Sequence, residues 1–158
     1  MNTQISLFEE VNNLPEFTIS YKTKGKITER RIIKSSKDAA DLCRLCFDAD
    51  TIEWVESFIV LGFARNNALL GFYKISQGGI TGTVVDPRVI LQFALLSNSV
   101  NLVICHNHPS GQVKPSHADE MLTNKIKQAA ELMDIKILDH IILGAEDAFY
   151  SFADEGLL

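Results

Sequence analysis

Apolar and polar positions follow two rhythms along this chain. In FTISYKTKGKITERRIIK, 17–34, Phe17, Ile19 and Tyr21 alternate with polar residues, Lys24-Gly25 turns, and the pattern resumes at Ile27, which predicts a β-hairpin. Ser35-Ser36 caps a predicted helix through KDAADLCRLCFD, with Ala39, Ala40, Leu42, Cys43 and Cys46 on one side. SFIVLGFA, 57–64, is an apolar run with β-branched residues and predicts a strand; Asn66-Asn67 turns, and ALLGFYKIS returns as its hairpin partner. GGITGTVVD, 78–86, reads as loop with a short strand.

The second half alternates helix and strand. Asp86-Pro87 opens a helix through RVILQFALLSN, with Asp as cap and Pro at the first helical position. NLVICH, 101–106, reads as a buried strand. SHADEMLTNKIKQAAELMD, 116–134, is the longest predicted helix, with Met121, Leu122, Ile126, Ala129, Ala130 and Met133 as its apolar face. KILDHIIL, 136–143, is a further strand, with AFYSF, 148–152, as its partner. The expectation is a layered α/β domain whose mixed β-sheet, built from hairpins and crossovers, is flanked by helices. Residues 1–35 read as an N-terminal arm and basic hairpin, and 36–158 as the domain itself.

At 158 residues and 46% hydrophobic content, the chain can bury one real core. No run approaches the roughly 20 apolar residues of a membrane span. The acidic start, MNTQISLFEEVNN, is unlike a signal peptide. Three cysteines make a poor disulfide framework, so a reducing cytoplasm is expected. Cys43-x-x-Cys46 lacks a second pair and reads as two buried cysteines, and Cys105 as core. A net charge of −5 is not the footprint of a general nucleic-acid binder. Lys22 to Lys37 nevertheless holds seven bases against Glu29. That segment could make weak contact with nucleic acid, or its lysines could simply blunt an exposed edge; the lack of interleaved aromatics favours the second.

The candidate chemistry lies in ICHNHPSG, 104–111, which holds two of the four histidines. His106 and His108, two apart at a strand end, point to one face and could share a metal ion. A catalytic zinc site needs three ligands and an open position. Ser116 looks like an N-cap, and Asp119, in the first helical turn, can face back toward the strand end. Ser-x-x-Asp is equally close to a plain capping box. Asp139-His140 could stand behind the ligands or be a late ligand itself; with three better ligands at hand it reads as structural, the imidazole satisfied by a neighbour, and His117 as solvent-facing.

HNHPSGQVKPSHAD, His-x-His-Pro followed after six residues by Ser-x-x-Asp, is similar to the JAMM motif of the JAB/MPN metallopeptidase superfamily. The longer run from Gly82 through Pro87-Arg88, HNHPSG, PSHADE and LDHIILG, 138–144, resembles the RadC-like JAB-domain proteins over residues 36–158. The resemblance implies a JAB/MPN, cytidine-deaminase-like fold. It implies Zn²⁺ held by His106, His108 and Asp119, with water at the fourth site made acidic by the metal. Glu56, preferred over Glu53 because it abuts the strand 57–64, would be the general base, and Ser116 would donate to the oxyanion. The implied activity is hydrolysis of peptide or isopeptide bonds in a peptide or protein substrate. The zinc deaminases' His-x-Glu and Pro-Cys-x-x-Cys do not stand in order here. The histidines of HNH endonucleases are spread over a ββα unit, unlike this pair. Two alternatives stay open: a DNA-repair or mobile-element accessory binding DNA or a DNA-processing partner, and a catalytically silent scaffold. The helix-hairpin-helix module of longer RadC-like proteins has no counterpart before residue 36, and the intact His106, His108, Asp119 and Ser116 set argues against the scaffold.

Overall fold

A computed structural model of the chain describes residues 26–79 and 82–158. A five-stranded sheet has the order β2-β1-β3-β4-β5, from β1 (Ser57–Phe63), β2 (Leu69–Gln77), β3 (Asn101–Asn107), β4 (Lys136–Leu143) and β5 (Phe149–Ser151). Only β3 and β4 run parallel, joined through a helix, so the sheet is mixed. The helices are α1 (Ser36–Arg44), α2 (Pro87–Leu96) and α3 (His117–Glu131).

The sheet separates two apolar layers. On one face, Ala39, Ala40, Leu42 and Cys43 of α1 meet Ile59, Leu61, Val103, Cys105, Ile141 and Leu143. On the other, Ile90 and Ala94 of α2 and Ile126 and Ala130 of α3 meet Phe58, Val60, Leu102 and Ile104. Both faces being covered, every residue of β1 is buried, which is why 57–63 reads as an unbroken apolar run rather than an alternation. The chain is therefore α/β with helices on both sides of a mixed sheet, consistent with a JAB/MPN fold.

One irregularity positions the site. Leu102 of β3 pairs with Ile137, but Val103 pairs with Asp139, leaving Leu138 as an extra residue in β4. This bulge reverses the alternation. Ile137 faces the α2/α3 layer, whereas four residues later Ile141 faces α1. His140 is thereby turned toward α3, where it meets Thr123.

Some expectations shift. Most of the predicted hairpin over 17–34 lies outside the described residues; within them, Ile27–Glu29 is a 3-10 turn rather than a returning strand, and Ile32 makes a single bridge to Ala68. α1 ends at Arg44, so Cys46 is half-buried in the following turn rather than in the helix. Local bonds to Asp48 from the Asp50, Thr51 and Ile52 N–H groups compete with helix continuation there. Residues 78–79 and 82–86 form no strand. The inner face of α3 is Thr123, Ile126 and Ala130, and Met121 and Met133 are exposed. The predicted face therefore ran too far round the helix, because Met side chains tolerate solvent and carry no phase information on their own.

Two loops interlock beyond the sheet. Gly111, at φ 79°, turns the chain back after His108, its N–H donating to the His108 carbonyl at 2.9 Å. A Cβ on Gly144 would stand 2.6 Å from the Gly111 carbonyl oxygen and 2.6 Å from Val113 Cγ1. Arg44 fastens the same corner, donating to the carbonyls of Gly144 at 3.3 Å and Ala148 at 3.0 Å. Gly144→Ala is expected to destabilise the protein by about 1–3 kcal/mol, read from the denaturant midpoint. An unchanged midpoint would mean that the 109–113 loop moves aside freely.

Candidate metal centre

His106 is the penultimate residue of β3 and faces the α2/α3 layer, its ring stacked on Phe58 at 5.9 Å. His108 follows the strand, with its backbone N–H donating to the Leu143 carbonyl at 2.9 Å. Its Nδ1 donates to the Gln112 carbonyl at 2.6 Å, because a carbonyl can only accept. The two Nε2 atoms come within 3.0 Å of each other. Asp119, in the first turn of α3, completes the group. Its Oδ1 lies 3.4 Å from His106 Nε2 and its Oδ2 3.9 Å from His108 Nε2. One ligand atom from each of the three lies within 4.8 Å of the others, a group that could hold a metal ion.

The donor set fits zinc. With Nδ1 of His108 donating to Gln112, Nε2 is left as the ring's ligand atom, and it faces His106 and the Asp119 carboxylate. Three Lewis bases converge on one point, which a cation would resolve, and three protein ligands leave a position for water. Burial pushes the His106 imidazole down to about 4, the nearby Asp119 charge pulling it up and His108 pushing it further down. The ring is thus kept neutral, as a ligand must be.

Ser116 and Asp119 form a full capping box. Asp119 Oδ2 accepts from the Ser116 N–H at 2.7 Å and from its hydroxyl at 2.6 Å, while Ser116 Oγ accepts the Asp119 N–H at 3.2 Å. Asp119 thus caps the helix with one oxygen and turns the other toward His106, so the cap does not exclude a place in the cluster.

Glu56 is half-buried just before β1, and Glu53 is exposed. Burial raises the Glu56 carboxyl above its usual range; His108 lowers it, the Asp119 charge raises it, and the Thr83 backbone N–H lowers it. The Glu56 segment is held by Asn107, the middle letter of His-Asn-His. Its buried carboxamide donates to the carbonyls of Ile52 and, at 2.9 Å, Val55, and accepts from the Ser57 N–H at 2.8 Å.

The model of one family, the RadC-like JAB domain, matches residues 33–157. The chain belongs to that family. A UPF0758 protein of Flavobacterium johnsoniae is 46% identical over 102 residues, 65% of this chain and 44% of its own length. A UPF0758 protein of Aromatoleum aromaticum is 45% identical over 103 residues, 65% of this chain and 46% of its own. One from Burkholderia cenocepacia is 38% identical over 133 residues, 84% of this chain and 50% of its own. The chain spans about half the length of these relatives or less.

In this JAB domain the smaller sequence signals also resolve. Cys43 and Cys105 are buried, and all three cysteines are free. His117 is exposed, 3.9 Å from Glu120. Of the basic run, Lys26 pairs with Glu29 at 3.5 Å and Lys37 with Asp41, while residues 22–25 lie outside the described part. No described helix is long and apolar enough to cross a membrane. Neither Asn107, the variable position of His-x-His, nor Thr123 is specified by a motif in the sequence. Thr123 carried a signal, a hydroxyl one helical turn after Asp119 and in phase with Ile126 and Ala130.

A pH dependence follows. His106, and His140 with it, are held below the ordinary imidazole value, mainly by burial. These two rings then bind more protons in the unfolded chain than in the native one once pH falls below about 6.5, while the raised carboxyls of Glu56 and Asp139 act in the opposite sense. The melting temperature of the metal-free protein is expected to fall from about pH 6.5 to pH 4, and more steeply in Glu56→Gln, which removes one opposing group. A profile flat in both proteins, in a thermal melt series, would mean that these rings are not buried neutral.

Proposed function

We propose that this domain is a zinc-dependent hydrolase of peptide or isopeptide bonds. What carries the reading is the convergence of His106, His108 and Asp119 beside a half-buried glutamate whose carboxyl is raised. Membership of the JAB family supports it. Imidazole and carboxylate ligands suit zinc among the first-row metals. When bound, zinc would supply Lewis acidity that brings the pKa of a water toward about 7.

The chain's own groups do the rest. Glu56, made more basic by burial, takes a proton from the attacking water and returns it to the leaving nitrogen. Asn107 fixes where that carboxylate starts, by clamping the backbone on both sides of it. The Ser116 hydroxyl, given to Asp119 in this structure, turns to donate to the substrate carbonyl oxygen as negative charge gathers there. The stretch 82–86, whose Thr83 N–H faces Glu56, borders the place where a substrate chain would lie.

The purified protein is expected to carry near one zinc per chain by elemental analysis, and His108→Ala to lose it. Glu56→Gln should keep the zinc while cleavage of a quenched-fluorescence peptide library falls about 10²- to 10⁴-fold. Chelation should abolish cleavage by the wild-type protein. No zinc in the wild-type protein, even after zinc is added, would overturn the proposal.

A further inference from the structure

The candidate ligand His106 is the first member of a buried chain that continues away from the site. His106 Nδ1 lies 2.9 Å from His140 Nε2. His140 Nδ1 lies 2.6 Å from Thr123 Oγ1, and Thr123 Oγ1 lies 2.6 Å from the Asp119 carbonyl oxygen. His106, His140 and Thr123 are all buried, with His140 fully enclosed between Phe58 and Phe152. The chain starts at one metal-ligand residue and ends on the backbone of another.

Proton counting gives the chain a direction. A carbonyl oxygen cannot donate, so the Thr123 hydroxyl gives its only proton to Asp119. The short Thr123–His140 contact then needs the proton of His140 Nδ1. A neutral His140 has its lone pair on Nε2 and accepts from His106 Nδ1–H. His106 is left with a bare Nε2, the atom that faces His108 and Asp119. The reversed chain would put a proton on His106 Nε2, inside the ligand cluster, and no metal could bind there.

We propose that Thr123, acting through His140, is a positioning residue that sets the tautomer of His106 and so keeps its Nε2 open for a metal. Thr123 touches neither metal nor substrate. Among the described residues, its hydroxyl is the group that breaks the symmetry of a His–His pair, either ring of which could otherwise donate. The role rests on the metal-site reading given above, but the tautomer exists in the metal-free protein and can be read there.

The test is a long-range ¹H–¹⁵N correlation spectrum of the imidazole rings in ¹⁵N-labelled, metal-free protein, together with zinc affinity by competition against a fluorescent chelator. In the wild-type protein His106 should be protonated at Nδ1 and bare at Nε2. Thr123→Val, equal in shape but without the hydroxyl, should populate the Nε2-protonated form of His106. It should also weaken zinc binding about 10- to 100-fold. Thr123→Ser should restore both. Wild-type His106 protonated at Nε2 would overturn the proposal with no variant needed. So would Thr123→Val with tautomer and zinc affinity unchanged. If zinc binds and the tautomers respond as stated while no peptide is cleaved, the hydrolase reading fails and this one stands.

Discussion

Three electron-rich groups are held together at one end of the sheet, two imidazole nitrogens and a carboxylate oxygen, where their mutual repulsion has to be borne by the scaffold. Much of the fold serves that purpose. The central strand β3, paired on both sides, delivers His106 as a rigid ligand. The Leu143 carbonyl takes the backbone N–H of His108 and the Gln112 carbonyl takes its ring, which restricts the second imidazole although it lies past the strand. Such preorganisation is what an ion-binding site requires, since ligands that must be gathered at binding weaken it.

The third group is held by helix physics. The first turn of α3 exposes unpaired N–H groups and a partial positive charge, which favour a carboxylate. Asp119 uses one oxygen to close the capping box with Ser116 and leaves the other nearer His106. A single side chain thereby caps the start of the helix and faces the cluster, and a substitution there would disturb both. Thr123, one turn on, packs toward the sheet beneath it, in phase with Ile126 and Ala130.

Local signals in the sequence were strong where the chain obeyed one rhythm. The unbroken apolar run of β1, the Asp86-Pro87 start of α2 and the Ser116 cap of α3 were all readable, because each depends on neighbours within a few residues. His106, His108 and Asp119 were readable for the same reason: a strand end and a helix start lie close together in the chain. What was not legible depends on distant partners. Nothing near Asn107 in the sequence gives it a role, yet its carboxamide holds a segment some fifty residues away. The phase of α3 was blurred by Met121 and Met133, which are apolar but exposed. For His140 the sequence leaves a place behind the ligands open while favouring a satisfied structural one, because its two partners, His106 and Thr123, are brought to it only by the parallel crossover and by the register of β4 on β3.

That extra residue, Leu138, has a consequence for how this architecture can change. With this sequence in unbroken register, Cys105 rather than Ile104 would pair with His140, and the ring would face α1. The bulge absorbs one residue and restores the pairing of Ile104 with His140, so a chain lacking Leu138 but keeping that pairing would hold the ring on the same face. Copying HNHPSG and PSHAD onto another sheet would transplant the ligands but not the ring that backs them, unless a histidine stood on the neighbouring strand opposite the residue two before His106. The portable unit is therefore larger than the motif, and it includes a pairing partner on the next strand.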